Sequence, residues 1–533
     1  MGIFDTTYDV IIIGGGISGL FLAYKLGGIG INILLFEEGE KLGGRIHTIK
    51  RGGVTYEAGA ARFHKSHTKV LTLIDELGLM DKIIDIPDGK DHYLRGYFNN
   101  DKNYHNHQLD DKLEFDKLLR KSFEMKDRVS EEELRNINFF QYLGMIYGFE
   151  TAEYIKDSFG YDSEFMSLNA EAAMTMFKDD FIFNDHSYYL LNGGLSQIIE
   201  CMEKKINQYP NVRIIKNCKV LHIKDTYIET KNDKFYYEKL ICAIPQKSLK
   251  DYKIFDNLNE INNVECIPLL RIYVKYPKGS SWFKDIKRTI TNNHIRHIIP
   301  IDYENGLIMI SYSDGNHTRG WENLYNNGEE FLINVINKEI FRIFGVKPPK
   351  HEFLTFHLWE CGVHFWKPGS SINEDYLKML KPFKNREIYV CGETYSKKQG
   401  WMEGAISTCY DIIQLIDLCD IEVHTDIDYE KIIEYSELEE YVIDDVLKRD
   451  DWIIIEDNNL RLIFDISKWI GQHPGGNIIL KGIEANQYYK DKRANPESPT
   501  MMFHKIHSHN KSNVFENFFR KRHKLVKLVG ILK

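Results

Sequence analysis

Three features of the sequence predict an α/β fold class built as more than one folding unit. A β-branched run at Tyr8–Ile13 enters a glycine-rich turn, a helical stretch and a second apolar strand ending at Phe36. The same strand, turn and helix order returns between about 388 and 418. At 533 residues the chain also exceeds the ~250–300 residues at which single cores stop growing. Between the two repeats lies a mixed region with helical segments such as Asp110–Lys126 and strand-like runs such as Leu269–Val274. After about residue 450 a separate pattern begins, with strands expected at Trp452–Ile455 and Leu460–Phe464 and a turn at Asn458–Asn459.

Composition bounds the possibilities. Hydrophobic residues make up 43% and charged residues 28%, which excludes wholesale disorder. No run approaches the ~18–20 uncharged apolar residues of a membrane helix, so no transmembrane segment is expected. Met1 runs almost directly into the strand at Tyr8, leaving no room for a signal peptide. The eight cysteines contain no CxxC pair, and are read as reduced, scattered thiols in a reducing, cytoplasmic compartment. Net charge is −9, and Asp420–Asp451 alone holds 13 Asp/Glu against 3 Lys/Arg. The rest is near neutral, which argues against a nucleic-acid surface. Residues 421–450 are therefore expected to be an acidic linker between units at 1–420 and 451–533.

The first strand is apolar throughout, as for a strand buried on both faces of a parallel sheet. It opens Gly14-Gly-Gly16-Ile-Ser18-Gly19. There Gly14 permits a tight turn, Gly16 lets a pyrophosphate approach the backbone, and Gly19 lets helix and strand pack closely. The helix N-terminus then offers amide donors and its positive dipole end to phosphate. A second strand ends at Glu37, 18 residues after Gly19, where the acidic partner of a ribose hydroxyl belongs. These parts in register predict a dinucleotide site of Rossmann type.

Further along stand Leu42-Gly-Gly44-Arg45, Gly59-Ala60-Ala-Arg62, Gly193-Gly194, Val220, and the strand Leu240–Pro245. Near the end of the first unit come Gly392-Glu393 and Gly400-Trp401-Met402-Glu-Gly404-Ala405. In this order, over about residues 5–420, they resemble the flavin-containing amine oxidase superfamily, with its monoamine and L-amino-acid oxidases. The resemblance implies a Rossmann-type FAD-binding domain (parts about 1–90, 190–260 and 380–420) interleaved with an α+β substrate domain. It implies FAD held by the Gly14–Gly19 turn, Glu37, Gly44, Arg45, Gly59, Ala60, Arg62, Val220 (at adenine), Gly392, Glu393 (at the ribityl chain), Trp401, Met402 and Ala405.

It also implies a reacting centre. Trp401 matches one wall of the aromatic cage beside the flavin. The second wall should fall within Cys361–Gly369, where the matching position is Gly362, so either the cage is half open or His364 or Trp366 fills the gap. The family's strand lysine is matched by Arg271, either an ion-pair residue of the substrate domain or a catalytic group. Arg271 and Arg62 favour a substrate carrying a carboxylate. Cys361 stands eight residues before Gly369, the spacing of the covalent flavin attachment in monoamine oxidases; an inert buried thiol is the other reading.

The last unit holds Asp465 to Trp469 followed by His473-Pro-Gly-Gly476, and later Phe503-His-Lys-Ile-His507-Ser508. These resemble a cytochrome b5 fold, a small α+β domain in which His473 and His507 would be the axial ligands of haem b, with His504 and His509 as neighbouring competitors for the second position. Lys490–Thr500 reads as an inserted loop, and the end from Leu525 as the closing strand. The resemblances together imply oxidation of an amine or amino acid by hydride transfer to flavin, with electrons passed to oxygen, to a redox partner or to the haem. The alternatives are a carbon–carbon desaturase or protoporphyrinogen-oxidase-like flavoenzyme, or a redox-inactive structural flavoprotein.

Overall fold

In chain order, the elements that build the first unit's site are β1 (Thr7–Ile13), α1 (Ile17–Gly28), β2 (Ile33–Phe36), α2 (Ser196–Ile206), β3 (Val212–Ile215), β4 (Lys234–Cys242), β5 (Val264–Lys275), β6 (Leu307–Asp314), α3 (Glu329–Phe344), β7 (Phe353–Trp366), β8 (Ile388–Val390) and α4 (Met402–Leu415). The computed structural model describes residues 7–86, 89–99, 103–105, 112–178, 188–280, 282–416, 440–457, 460–467, 483–490, 499 and 527–532. The chain divides into two units, Met1–Val423 and His424–Lys533.

Why β1 is apolar throughout is now plain. It lies at the centre of a parallel sheet, with β2 and then β3 on one side and β4 and then β8 on the other. Val10 to Ile13 and Ile33 to Phe36 are buried, as expected where helices cover both faces. The strands of this sheet come from sequence positions near 10, 35, 214, 240 and 389, so the sheet joins segments spread over most of the unit.

A second seven-stranded sheet runs β7-β5-β6, then His297–Asp302, Arg288–Thr291, Lys90–Leu94 and Tyr97–Asn99. Alternation along β5 divides its labour. Leu270, Ile272 and Val274 pack into a core with Leu332, Ile336 and Ile340 of α3, while Leu269, Arg271 and Tyr273 face a large cavity. The helix expected over Asp110–Lys126 is shorter. It spans Phe115–Glu124, because Lys112–Glu114 pairs as a strand with Asn103–His105.

The expectation that all cysteines are free thiols is corrected. Cys266 and Cys361 form a disulfide, their Cα atoms 5.1 Å apart. They lie 95 residues apart in sequence, so no local spacing announces the pair. Antiparallel pairing of β5 with β7 brings them together. The register slips between Ile267 and Leu269, whose partners are Val363 and Trp359, so Cys361 lies in the resulting bulge. Neither covalent attachment to flavin nor an inert free thiol describes Cys361. Cys201, Cys218, Cys242, Cys391 and Cys409 are free.

In the second unit, Trp452–Asp457 pairs antiparallel with Leu460–Asp465, which pairs antiparallel with Lys527–Leu532; Glu440–Tyr441 lies parallel to the last. Trp452, Ile454, Ile463 and Val446 form a small core. Asn486 stitches the first strand in place, its amide donating to the Trp452 carbonyl and its oxygen accepting from the Ile454 N–H. The expected strands are present here. The Asn458–Asn459 turn, His473-Pro-Gly-Gly476, His507, most of the acidic linker and nearly all of Lys490–Thr500 lie outside the described residues. Among the described residues, no helix is long and apolar enough to cross a membrane.

Leu270 is fully buried at the centre of the β5–α3 core. Leu270→Ala should cost about 2–5 kcal/mol, read as a lower denaturant midpoint for the first unit at unchanged slope.

Candidate active site

The turn after β1 leaves no room for a side chain at Gly14 or Gly19. A Cβ on Gly14, where φ is +106°, would lie 2.5 Å from the Ala243 carbonyl oxygen, and one on Gly19 would lie 2.0 Å from that of Gly14. A Cβ on Gly16 would meet nothing within 4 Å, because that residue opens onto the cavity. Glu37 shapes the turn. Its carboxylate oxygens accept from the Gly15 and Gly39 N–H groups, each at 2.8 Å. The starts of α1 and α4 converge here, with Ser18 Oγ donating to the Ala405 carbonyl.

The segment before α4 is tied to the early glycine segment by one buried carboxylate. Glu393 Oε2 pairs with Arg45 Nη1 at 2.7 Å and lies 3.0 Å from His364 Nδ1. Its Oε1 accepts from the His364 and Gly400 N–H groups. Burial alone would raise the Glu393 pKa. The Arg45 guanidinium and the bonds from His364 outweigh that and hold it well below the usual carboxylate range. Arg45 also donates to the Gly362 carbonyl.

Gly14, Gly16, Ser18, Glu37, Arg45, Gly362, Glu393, Gly400 and Ala405 line a single cavity of about 1960 Å³. Ordinary small-molecule sites run ~300–1,000 Å³, so there is room for an extended cofactor and a second molecule. One end is bounded by Gly14, Gly16, Glu37, Val220 and Pro245. The other is an aromatic and cationic chamber. Trp401 stacks near Tyr188, with ring centroids 6.0 Å apart and planes 17° apart, and meets the edge of His67 at 4.9 Å. Burial and Lys398 drive the His67 pKa down to about 2, so this ring is neutral. The Arg62 guanidinium lies 4.6 Å from the Tyr188 centroid and 5.9 Å from that of Trp401. Arg271 sits over Tyr312 at 4.4 Å and donates to the Glu57 carbonyl, which also accepts from Tyr273. Deeper still stand Arg288, Tyr161, Glu164 and Asp314.

A glycine cradle open to the cavity, two converging helix starts and this volume fit a flavin dinucleotide. A family model described as "Flavin containing amine oxidoreductase" matches residues 17–410. The chain belongs to that family. Among curated relatives, Amine oxidase [flavin-containing] A of Sus scrofa is 37% identical over 89 residues, covering 16% of this chain and 17% of that protein. Protoporphyrinogen oxidase 2, chloroplastic/mitochondrial, of Arabidopsis thaliana is 36% identical over 73 residues, 14% of each. The match thus spans about a sixth of these relatives' length. A solved structure of wild-type putrescine oxidase bound to putrescine aligns with TM-score 0.60 and 18% identity, covering 76% of this chain and 99% of that one. At that identity the likeness concerns the fold.

For a flavin amine oxidoreductase, the residues expected from the sequence sort cleanly. Gly14, Gly16, Ser18, Glu37, Gly44, Arg45, Gly59, Ala60, Arg62, Val220, Gly392, Glu393, Trp401, Met402, Ala405 and Arg271 all line the cavity. Gly19 does not; it packs α1 on the turn. His364 and Trp366, expected as candidates for a second aromatic wall, are corrected. Alternation along β7 turns Val363 and Phe365 to the cavity and His364 and Trp366 away from it. His364 serves Glu393, and Trp366 donates to the Ser396 carbonyl. The wall left open at Gly362 is taken by Leu269, which a Cβ at Gly362 would strike at 2.5 Å. Tyr188, Tyr161, Glu164, Arg288 and Asp314 were not anticipated. Only Tyr188 carries a local signal, standing on the strand just before Gly193-Gly194.

Burial, reinforced by the nearby Asp314, pushes the Glu164 carboxyl up to about 8. An unfolded glutamate titrates near ~4.3, so between these values the native state holds a proton the unfolded chain has lost, and stability falls as pH rises. Glu164→Gln cannot ionise. Its melting temperature relative to the unsubstituted protein should therefore climb steadily from pH 5 to pH 8 in parallel thermal scans.

Proposed function

We propose that the chain oxidises an amino acid, or an amine bearing a carboxylate, to the imine, which water then hydrolyses. The observation that carries this reading is the Arg62 guanidinium set against Trp401 and Tyr188 inside the flavin-sized cavity. FAD when bound supplies an acceptor for the hydride leaving the carbon that carries the nitrogen. The chain's own residues bind, orient and dry the substrate. Arg62 takes the carboxylate through a bidentate, charge-assisted contact. Trp401 and Tyr188 give the carbon skeleton a flat apolar wall and exclude water. Substrate nitrogen must arrive as the free amine, and a chamber lined by guanidinium groups lowers the pKa of an ammonium ion held there. Arg271, already engaged by Glu57, holds the chamber wall and adds to the same field.

The fused unit supports a second part of the reading, on sequence grounds. His473-Pro-Gly-Gly476 and His507 resemble a cytochrome b5 module, and two axial histidines leave iron no open position for oxygen, so such a haem would transfer electrons only.

Two experiments test these readings. Mixed anaerobically with amino acids, the FAD-loaded chain should lose its yellow absorbance, and in air it should release ammonia and hydrogen peroxide. Arg62→Gln should raise KM by about 10–100-fold, the worth of a charged hydrogen-bonded contact, with a smaller effect on kcat. Bleaching by a porphyrinogen without ammonia release would instead select the desaturase reading, and failure to bind flavin the structural one. For the second unit, the full-length protein should show a Soret band that shifts with dithionite and disappears in His473→Ala.

A further inference from the structure

Beyond Arg62 the chamber holds a second group of donors that nothing in the fold satisfies. Arg288, on the strand Arg288–Thr291, offers Nη2 to His297 Nδ1 at 3.4 Å, and its buried Nε has no partner. Tyr161 packs against the same imidazole, ring centroids 4.3 Å apart, and its buried hydroxyl also has no partner. Because a guanidinium can only donate, His297 Nδ1 is the acceptor and its other nitrogen carries the hydrogen. Burial, with Arg288 and Arg296 nearby, keeps His297 neutral. His297, whose own Nε2–H also has no partner, thus orients two unused donors, and Arg288 and Tyr161 line the cavity. A buried donor left unpaired costs about 1–3 kcal/mol, so two side by side call for an acceptor that arrives with a ligand.

Charge points the same way. Among the described residues, no carboxylate lies within ion-pair distance of Arg62, Arg271 or Arg288. The nearby acids are committed elsewhere. Asp314 accepts from the Asp162 and Ser163 N–H groups, and Glu57 from Thr48 and the Leu195 N–H. Glu164 is protonated at neutral pH. Arg62 and Arg288 act on each other electrostatically, so they share one space. Such a chamber carries positive charge that no carboxylate pairs, with Arg271 held by the Glu57 carbonyl and Arg62 and Arg288 left to face the cavity.

We propose that it binds a dicarboxylic α-amino acid, with Arg62 at the α-carboxylate and Arg288 with Tyr161 at the side-chain carboxylate. The proposal rests on the amine-oxidising reading of this site and adds the substrate class and a specificity-determining residue.

The test uses the full-length, FAD-loaded protein. Anaerobic bleaching should favour L-glutamate or L-aspartate over L-glutamine and L-asparagine. Arg288→Gln should lower the acid-to-amide ratio of kcat/KM by about 10–100-fold, whereas Arg288→Lys should retain part of it. Retention of the flavin spectrum in each variant reports intact folding. In a turnover-independent arm, glutarate should perturb the flavin spectrum at lower concentration in the unsubstituted protein than in Arg288→Gln. If acids and amides react alike and the ratio ignores Arg288, the second anion site is wrong while amino-acid oxidation stands. If no amino acid bleaches the flavin, the catalytic reading falls. Glutarate binding then decides the anion site alone: weakening in Arg288→Gln supports it, and equal binding overturns it.

Discussion

A single buried carboxylate holds the site together. Glu393 closes a loop of 348 residues back to Arg45 and receives His364 from a third part of the chain. A lone carboxylate at that depth would be strongly disfavoured. Joined, the three residues bind the early glycine segment, the bulged end of β7 and the approach to α4. Removing Arg45 would leave Glu393 buried without its cation, and removing Glu393 would leave the His364 Nδ1 contact and the Arg45 ion pair unmade, so the geometry of the cavity is conditional on this junction. The ion pair therefore works less as a source of net stability than as a device that selects one arrangement of three distant segments.

Strand alternation then decides which side chains the cavity receives. On β5 it sends Arg271 inward and Leu270 into the α3 core. On β7 it sends Val363 and Phe365 inward and turns His364 toward Glu393. The bulge between them brings Cys361 within disulfide reach of Cys266 and Leu269 against Gly362. A half-open aromatic cage is thereby replaced by an aliphatic side chain and a disulfide-braced strand pair, with the aromatic partner of Trp401 supplied by Tyr188 instead.

How much could be read in advance follows from the range of each interaction. The turn from Gly14 to Gly19, Glu37 and the Gly392–Ala405 segment were legible because each is a local backbone requirement written in neighbouring residues. Arg62 and Arg271 were legible as chemistry on a strand or turn of known neighbourhood. His364 and Trp366 misled because β7 carries a bulge, and a period-two pattern cannot be phased across a bulge from sequence. Arg288 and His297 stand on neighbouring strands of the second sheet, whereas Tyr161 follows a helix far earlier in the chain and meets them only in the folded structure. The disulfide escaped notice for the same reason, its halves being 95 residues apart.

The interleaving has a thermodynamic consequence. β8 joins the parallel sheet beside β4 by pairing Ile388–Val390 with Leu240–Cys242, and Glu393 follows within three residues of that strand's end. One short stretch thus adds a strand to the sheet and a carboxylate to the cavity wall. Few contacts hold a three-residue strand by themselves, so a ligand spanning the glycine turn and the start of α4 would bind only the closed form and favour it by mass action. Cofactor binding and completion of the fold are in this sense one equilibrium. That coupling explains why the segments nearest the cavity are built from glycines and a single ion-paired carboxylate, and not from a hydrophobic core of their own.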